Sequence, residues 1–450
     1  MAAPVRSARD SVLRCALTLT LAAALTVGLT SCGTTSLPQA TVPASASPTD
    51  TPTTGTPLGW GPAQLQAAYR LPAQPPSHGT VAVITVGPYP NLAHDLATYR
   101  ETFGLAECGT AGGCLTVMDF HGGPPLPAPT SEAEKQSAQA LAIETGIDVQ
   151  MVSAVCPSCR IIDVQIPLGK APAAPTKGAD YAGYATAFGD AVNTAVAHGA
   201  NSVSISFAMP GDDSMLRGPI AAALDHPGVA VVAGSGDNGF NGDGNSLVAQ
   251  PASRGLTGDL VVWPQALTTV TSVGGTSLVK QGDKYLHTAW PQGGSGCTRG
   301  LGPAEGQPRW ITDLCGGHRA GPDVAAVAEN IAIYVPYRPA DGATVGWLLM
   351  SGTSLATPQI AAMYAAGGNT RNVHGPNTLY RASTDAFEDV TSGFNAAISG
   401  SEGGCVAPWQ LLGPGGPGTP TSLPDRLCQA VPGWDGPTGL GVPRGLGAFE

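Results

Sequence analysis

An α/β fold with a mainly parallel central sheet and helices on both faces is predicted by three features of this chain. Short apolar, β-branched runs alternate with longer stretches of helical patterning. The alternation is regular enough to read as βαβα through the first half of the globular region. At 450 residues and 42% hydrophobic content, the chain can also bury a large core.

The elements follow in order. Thr80 to Val86 reads as a strand, and Asn91 to Phe103 as a helix. Glu132 to about Val155 carries long helical patterning, and Arg160 to Ile166 is strand-like. Tyr181 to His198 is helical, Ser202 to Ser206 a strand, and Ser214 to Asp225 helical again. Val229 to Ala233 reads as a buried strand. In sheets of this kind functional residues gather at the carboxyl ends of the strands, and Asp237 lies just past one such end.

Composition excludes some partners. Only 12% of residues are charged, the formal net charge is -11, and no Lys/Arg cluster occurs. Nucleic acid is therefore not an expected partner. The expected state is a monomer.

The N-terminus reads as a targeting segment. Arg6, Arg9 and Arg14 form a basic region, an apolar run extends from Cys15 to about Leu29, and Leu29-Thr30-Ser31-Cys32 follows. The run is short for a membrane span and fits a signal peptide. Its end resembles a bacterial lipobox, so residues 1–31 are expected to be removed and Cys32 to carry lipid. Residues 33–57, rich in Thr, Ser, Pro, Ala and Gly with Asp50 as the one charge, read as a solvated spacer. The expected place of the protein is outside the cytoplasm, anchored to the cell membrane by lipid or secreted.

Eight further cysteines remain: Cys108, Cys114, Cys156, Cys159, Cys297, Cys315, Cys405 and Cys428. An even number in an exported chain suggests disulfides, with neighbour pairing the economical arrangement and connectivity left open. Cys156-Pro157-Ser158-Cys159 has no companion Cys-x-x-Cys or His pair, so a structural bridge is expected there rather than zinc or redox chemistry.

Three segments carry chemistry. Ser351-Gly352-Thr353-Ser354-Leu355-Ala356-Thr357-Pro358 delivers a hydroxyl to the start of an apolar helix running to about Ala366. Free amide donors at a helix start can stabilise a developing oxyanion. In Glu144-Thr145-Gly146-Ile147-Asp148, a spacing of four sets two carboxylates on one helix face among apolar neighbours, an arrangement favourable when they share a proton. Ser235-Gly236-Asp237-Asn238-Gly239 follows the strand ending at Ala233.

The serine segment resembles that of the subtilisin-like superfamily. His78-Gly79-Thr80 looks like that superfamily's histidine motif but precedes the first strand, so His78 reads as a loop residue. In chain order, Glu-x-x-x-Asp, Ser-Gly-Asp-x-Gly and Ser-Gly-Thr-Ser-x-x-x-Pro resemble the sedolisin family of serine-carboxyl peptidases. Further likenesses at Leu65 to Leu71, Asp95 to Arg100, Pro322-Asp323-Val324 and Gly433 to Gly441 extend the resemblance over about 58–450.

That resemblance implies a subtilisin-like fold and an acid-acting endopeptidase. Glu144 would be the general base for Ser354, Asp148 would support Glu144, and protonated Asp237 would donate to the oxyanion. It also implies one structural calcium ion, held by Asp389 and Asp435 and by the carbonyls of Val390, Val431 and Gly433, and polypeptides as substrates. Three departures stand out. Only the spacer precedes the catalytic region, where the family usually makes a long propeptide, so maturation is expected to need only cleavage before Cys32. Ala208 takes the place of a common glycine in the expected substrate-binding strand Ser204 to Ala208, and Ser401 to Cys428 interrupts the calcium halves. The rival reading is a catalytically silent surface-binding protein on a peptidase scaffold.

Overall fold

The computed structural model describes residues 57–168, 181–211, 213–240, 262–298, 300–337, 345–396, 398–399, 405–406 and 425–450. The targeting segment, Cys32, nearly all of the spacer and most of the Ser401 to Cys428 insert lie outside the described residues. Among the described residues no helix is long and apolar enough to cross a membrane.

Strand and helix alternate as the sequence predicts. After α1 (Pro62–Ala68) come β1 (Thr80–Val86), α2 (Leu92–Thr102), β2 (Leu115–Asp119), α3 (Glu132–Val155) and β3 (Arg160–Ile166). Then follow α4 (Tyr181–Ala197), β4 (Ser202–Ile205) and two short helices, α5 (Asp213–Leu216) and α6 (Gly218–Ala222). The sequence predicts one helix across those last two. Gly218 has a φ of +67° and Pro219 follows it, so the helix breaks and restarts there.

The chain continues through β5 (Ala230–Gly234), β6 (Thr271–Gln281), β7 (Lys284–Ala289) and β8 (Val324–Val327). A hairpin, β9 (Ile331–Tyr337) and β10 (Val345–Met350), leads into α7 (Thr353–Gly367). One eight-stranded sheet runs β8-β6-β5-β4-β1-β3-β2, with β7 added to β6. Every pairing along that path is parallel; β7 alone pairs antiparallel.

Both faces of the sheet are covered, which is why β1, β3, β4, β5 and β8 are buried at nearly every position. Val81 and Val83 of β1 face a core shared with α3 and α7, while Ala82 and Ile84 face the core under α4. Helices α3 and α7 pack side by side on one face. Since α3 starts at a Ser131/Glu134 capping box, its length and phase are fixed at the N-terminal end. Among the described residues four disulfides join neighbouring cysteines: Cys108–Cys114, Cys156–Cys159, Cys297–Cys315 and Cys405–Cys428. Cys156–Cys159 closes the turn between α3 and β3, so it is a structural bridge.

Candidate active site

Three distant segments meet at the carboxyl end of the parallel sheet: the middle of α3, the turn after β5 and the start of α7. Gly236, with φ +98°, permits the turn that brings Asp237 back toward α7. A close approach of β5 to α7 also requires Gly234, because a Cβ there would lie 2.9 Å from the hydroxyls of Thr353 and Thr357.

The nucleophile candidate stands at the helix start. Gly352 is the N-cap of α7, so Ser354 is the second helical residue and its N–H has no partner within the helix. Ser354 is half-buried, and its Oγ lies 3.4 Å from the Ser206 carbonyl. Pro358 is the sixth residue of α7, past the first turn where the sequence reading puts it, so the Ser354 carbonyl has no helical N–H donor there and accepts from the Ser206 hydroxyl at 3.4 Å.

Asp237 is tied to Thr353, the residue before Ser354. Its Oδ1 accepts from the Thr353 N–H at 2.7 Å and from the Thr353 hydroxyl at 2.8 Å. Oδ2 lies against Gly352, where a Cβ would come within 3.0 Å of it. Crowding by protein raises the affinity of the carboxyl for its proton, and the two Thr353 donors offset part of that rise. Asp237 as a residue is exposed along one edge, so solvent reaches it and the rise is smaller than full burial would give.

Glu144 and Asp148 lie one helical turn apart on α3. Burial pushes the Glu144 carboxyl up to about 7; the adjacent Ser354 hydroxyl counters this and the Asp237 charge adds to it. Glu144 nonetheless keeps a partly open edge, whereas Asp148 is fully buried. Asp148 accepts from the Ser206 hydroxyl at 2.5 Å through Oδ1. Its proton affinity is raised chiefly by burial and then by Glu144. Glu144 Oε1 and Asp148 Oδ2 are both buried without a hydrogen-bond partner. Two such oxygens between neighbouring carboxyls suit one shared proton better than two charges.

Among the described residues no histidine hydrogen-bonds any of these four side chains. His78 is an exposed loop residue whose Nδ1 hydrogen-bonds the Ser158 hydroxyl at 2.8 Å. Sequence reasoning placed Ser206 in the substrate-binding strand and missed its bond to Asp148. It also missed Thr353 as the holder of Asp237. The Ser-Gly-Thr-Ser motif itself contained that second signal.

The residues expected to hold calcium also meet. Asp389 Oδ2 accepts from Gly433 N–H at 2.9 Å, and Asp435 Oδ2 accepts from Val431 N–H at 3.0 Å. Asp435 Oδ1 is held by the N–H and hydroxyl of Thr438, both at 2.9 Å. Burial first, with Asp389 adding to it, pushes the Asp435 carboxyl up to about 7. Among the described residues, the carbonyls of Val390, Val431 and Gly433 accept no hydrogen bond. Two acids beside three free carbonyls form a hard oxygen donor set that fits calcium. Among the described residues no cluster of three or more His, Cys, Asp or Glu could hold a metal.

The parallel sheet, covered on both faces and carrying the candidate site at its carboxyl end, is a subtilisin-like fold. A solved Pseudomonas sedolisin, a serine-carboxyl proteinase complexed with two molecules of pseudo-iodotyrostatin, superposes with a TM-score of 0.58 at 21% identity. That match covers 87% of this chain and 96% of the other. No family model matches the sequence. Kumamolisin from Bacillus sp. strain MN-32 is 28% identical over 67% of this chain and 49% of its own length. Tripeptidyl-peptidase sed1 of Aspergillus fumigatus is 28% identical over 48% of this chain and 34% of its own. The chain thus spans half or less of the curated relatives it matches. The chain is subtilisin-like in fold, and in sequence it is similar to kumamolisin over about half of that protein's length.

Proposed function

We propose that this protein is an acid-acting serine-carboxyl endopeptidase. The observation that carries the reading is the convergence of Glu144, Asp148, Asp237 and Ser354 from three segments onto one site without a histidine. Ser354 Oγ attacks the peptide carbonyl and passes its proton to Glu144. A carboxylate is a weak base, so Asp148 supports it by sharing the proton it gains. The oxyanion takes hydrogen bonds from the Ser354 N–H and from protonated Asp237 through Oδ2, the oxygen Thr353 leaves free. Glu144 then protonates the leaving amine, and a water molecule repeats the sequence on the acyl-enzyme.

Asp389, Asp435 and the carbonyls of Val390, Val431 and Gly433 would hold one calcium ion. Its contribution would be to neutralise two neighbouring carboxylates and tie the 389–390 and 431–435 segments together. The basic and apolar start of the chain, with Cys32 after Leu29-Thr30-Ser31, supports export and a lipid anchor.

The test is incubation of the purified protein with a denatured polypeptide at acidic pH beside a Ser354→Ala variant. Internal cleavage by the wild type alone is expected. Equal, negligible cleavage by both would instead favour a silent binding protein.

A further inference from the structure

Asp163 is a fully buried carboxyl on β3 that the proposed mechanism leaves unused. Strand alternation fixes its direction. Ile162 and Val164 enter the core under α4, so Asp163 projects to the opposite face, with Ile161, toward α3. Both of its oxygens are engaged: Oδ1 accepts from the Thr85 hydroxyl at 2.6 Å and Oδ2 from Gln165 Nε2 at 2.9 Å. Such a group, without a cation, is costly to bury and calls for a reason.

The sheet register supplies one. Thr85 of β1 pairs with Gln165 of β3 on one side. On the other side Ile84 pairs with Ile205, so the next step of that register sets Thr85 beside Ser206. Ser206 is the residue that donates to Asp148. A polar row therefore crosses the end of the sheet beneath α3, from Gln165 through Thr85 to Ser206, with Asp163 below one end and Asp148 above the other.

Resting on the serine-carboxyl reading, we propose that Asp163 is a positioning residue for the Glu144–Asp148 pair: a third carboxyl whose charge sets how firmly the pair keeps its proton.

The groups around it leave its charge uncompensated. From α3 it faces Asp148, with Glu144 beyond; from β1, Thr85; from β3, Gln165. Asp119 of the neighbouring β2 turns to its own loop, where it binds the His121 and Gly123 N–H groups. Among the described residues no Lys, Arg or His pairs with Asp163, Asp148 or Glu144. Burial pushes Asp163 up to about 6, against its two donors. Its ionised form in turn raises the proton affinity of Asp148. Asp163 is therefore neutral under acid conditions and ionises as the pH approaches neutrality. The new charge holds the shared proton on the pair at the pH where it would otherwise leave.

The test compares the wild-type protein with Asp163→Asn, which keeps the shape and removes the charge. The alkaline limb of kcat/KM against pH should move down by about one unit, and the rate in acid should fall far less than the rate near neutrality. Thr85→Val leaves the carboxyl but removes a donor to its ionised form, and should shift the limb in the same direction by less. It serves where the asparagine variant fails to fold. A rate lowered equally at every pH, or an unmoved limb in a folded variant, overturns the proposal. Infrared titration of the protonated-carboxyl band gives an independent reading. If the wild type cleaves nothing, the endopeptidase reading falls, and the band still decides this one. Its last titration should occur at lower pH in Asp163→Asn, and an unchanged midpoint overturns the inference.

Discussion

Thr353 holds Asp237 by two donors on a single oxygen, its N–H at 2.7 Å and its hydroxyl at 2.8 Å. Both bonds go to Oδ1, so the proton of a neutral Asp237 belongs on Oδ2, beside Gly352 and the start of α7. In the proposed mechanism Thr353, the residue before Ser354, thereby aims the oxyanion donor.

Thr353→Val should retain the N–H bond and lose the hydroxyl bond. A donor misaligned at the oxyanion costs less than a donor removed, which is worth about 10²–10³ in kcat. The expected loss is therefore about tenfold in kcat with little change in KM, measured by steady-state cleavage of a peptide. A raised KM with unchanged kcat would place Thr353 in substrate binding instead.

The motifs that carry the site were legible because each is local. A spacing of four on a helix, a glycine-flanked Asp after a strand and a Gly-Thr turn before a helix need no tertiary information. Cysteine pairing was economical for the same reason, with sequence separations of 3 to 23. What could not be read was support arriving across the sheet. Ser206 and Asp148, 58 residues apart, and Thr85 and Asp163, 78 apart, meet only once strand order is known. In the strand-like run Arg160 to Ile166, nothing local distinguishes a buried Asp163 from a solvent-facing one.

Stability should depend on pH through opposing groups. Asp163 rises from 3.8 to about 6, so its stabilising share is complete below pH 3.8 and is lost as the pH rises through 6. Glu144, Asp148 and Asp237 are shifted the same way. His287 behaves oppositely. Buried, it falls from 6.5 to about 4, so its share is complete above 6.5 and is lost as the pH drops through 4. Asp163 and His287 each amount to about 3 kcal/mol and nearly offset between pH 4 and 6. The remaining carboxyls tilt the balance toward acid, so the melting temperature should be higher at pH 5 than at pH 8. His287→Gln keeps a neutral partner for Thr276 and should raise the melting temperature more at pH 4 than at pH 7. A uniform shift at both would remove His287 from this account.

Calcium should act on the fold and leave the chemistry untouched. A ligand bound only by the native state adds about 2.7 kcal/mol at a hundredfold excess over its dissociation constant. Chelation should lower the melting temperature of the wild type. Asp389→Asn should abolish that response, because Asp389 is exposed and carries no structural bond beyond the one from Gly433. An unchanged wild-type melt on chelation, with no metal copurifying, would exclude the site.

The rate should peak in acid and fall toward neutrality. The proposed mechanism requires Glu144 to accept a proton from Ser354 and Asp237 to hold one. It also requires the pair Glu144–Asp148 to carry no more than one negative charge. Raising the pH through about 7, where burial has pushed Glu144, replaces a hydrogen-bonded pair with two repelling anions. The same rise turns Asp237 from a donor into a third anion near the oxyanion. A histidine base fails in the opposite direction, when acid protonates it. The apparent pKa values of the profile belong to the coupled carboxyls as a group. Asp237→Asn separates the two causes: its amide donates at every pH, so any activity it keeps should decline less steeply on the alkaline side. A wild-type rate that climbs through neutrality to a plateau would require a different base and would displace Glu144 from the mechanism.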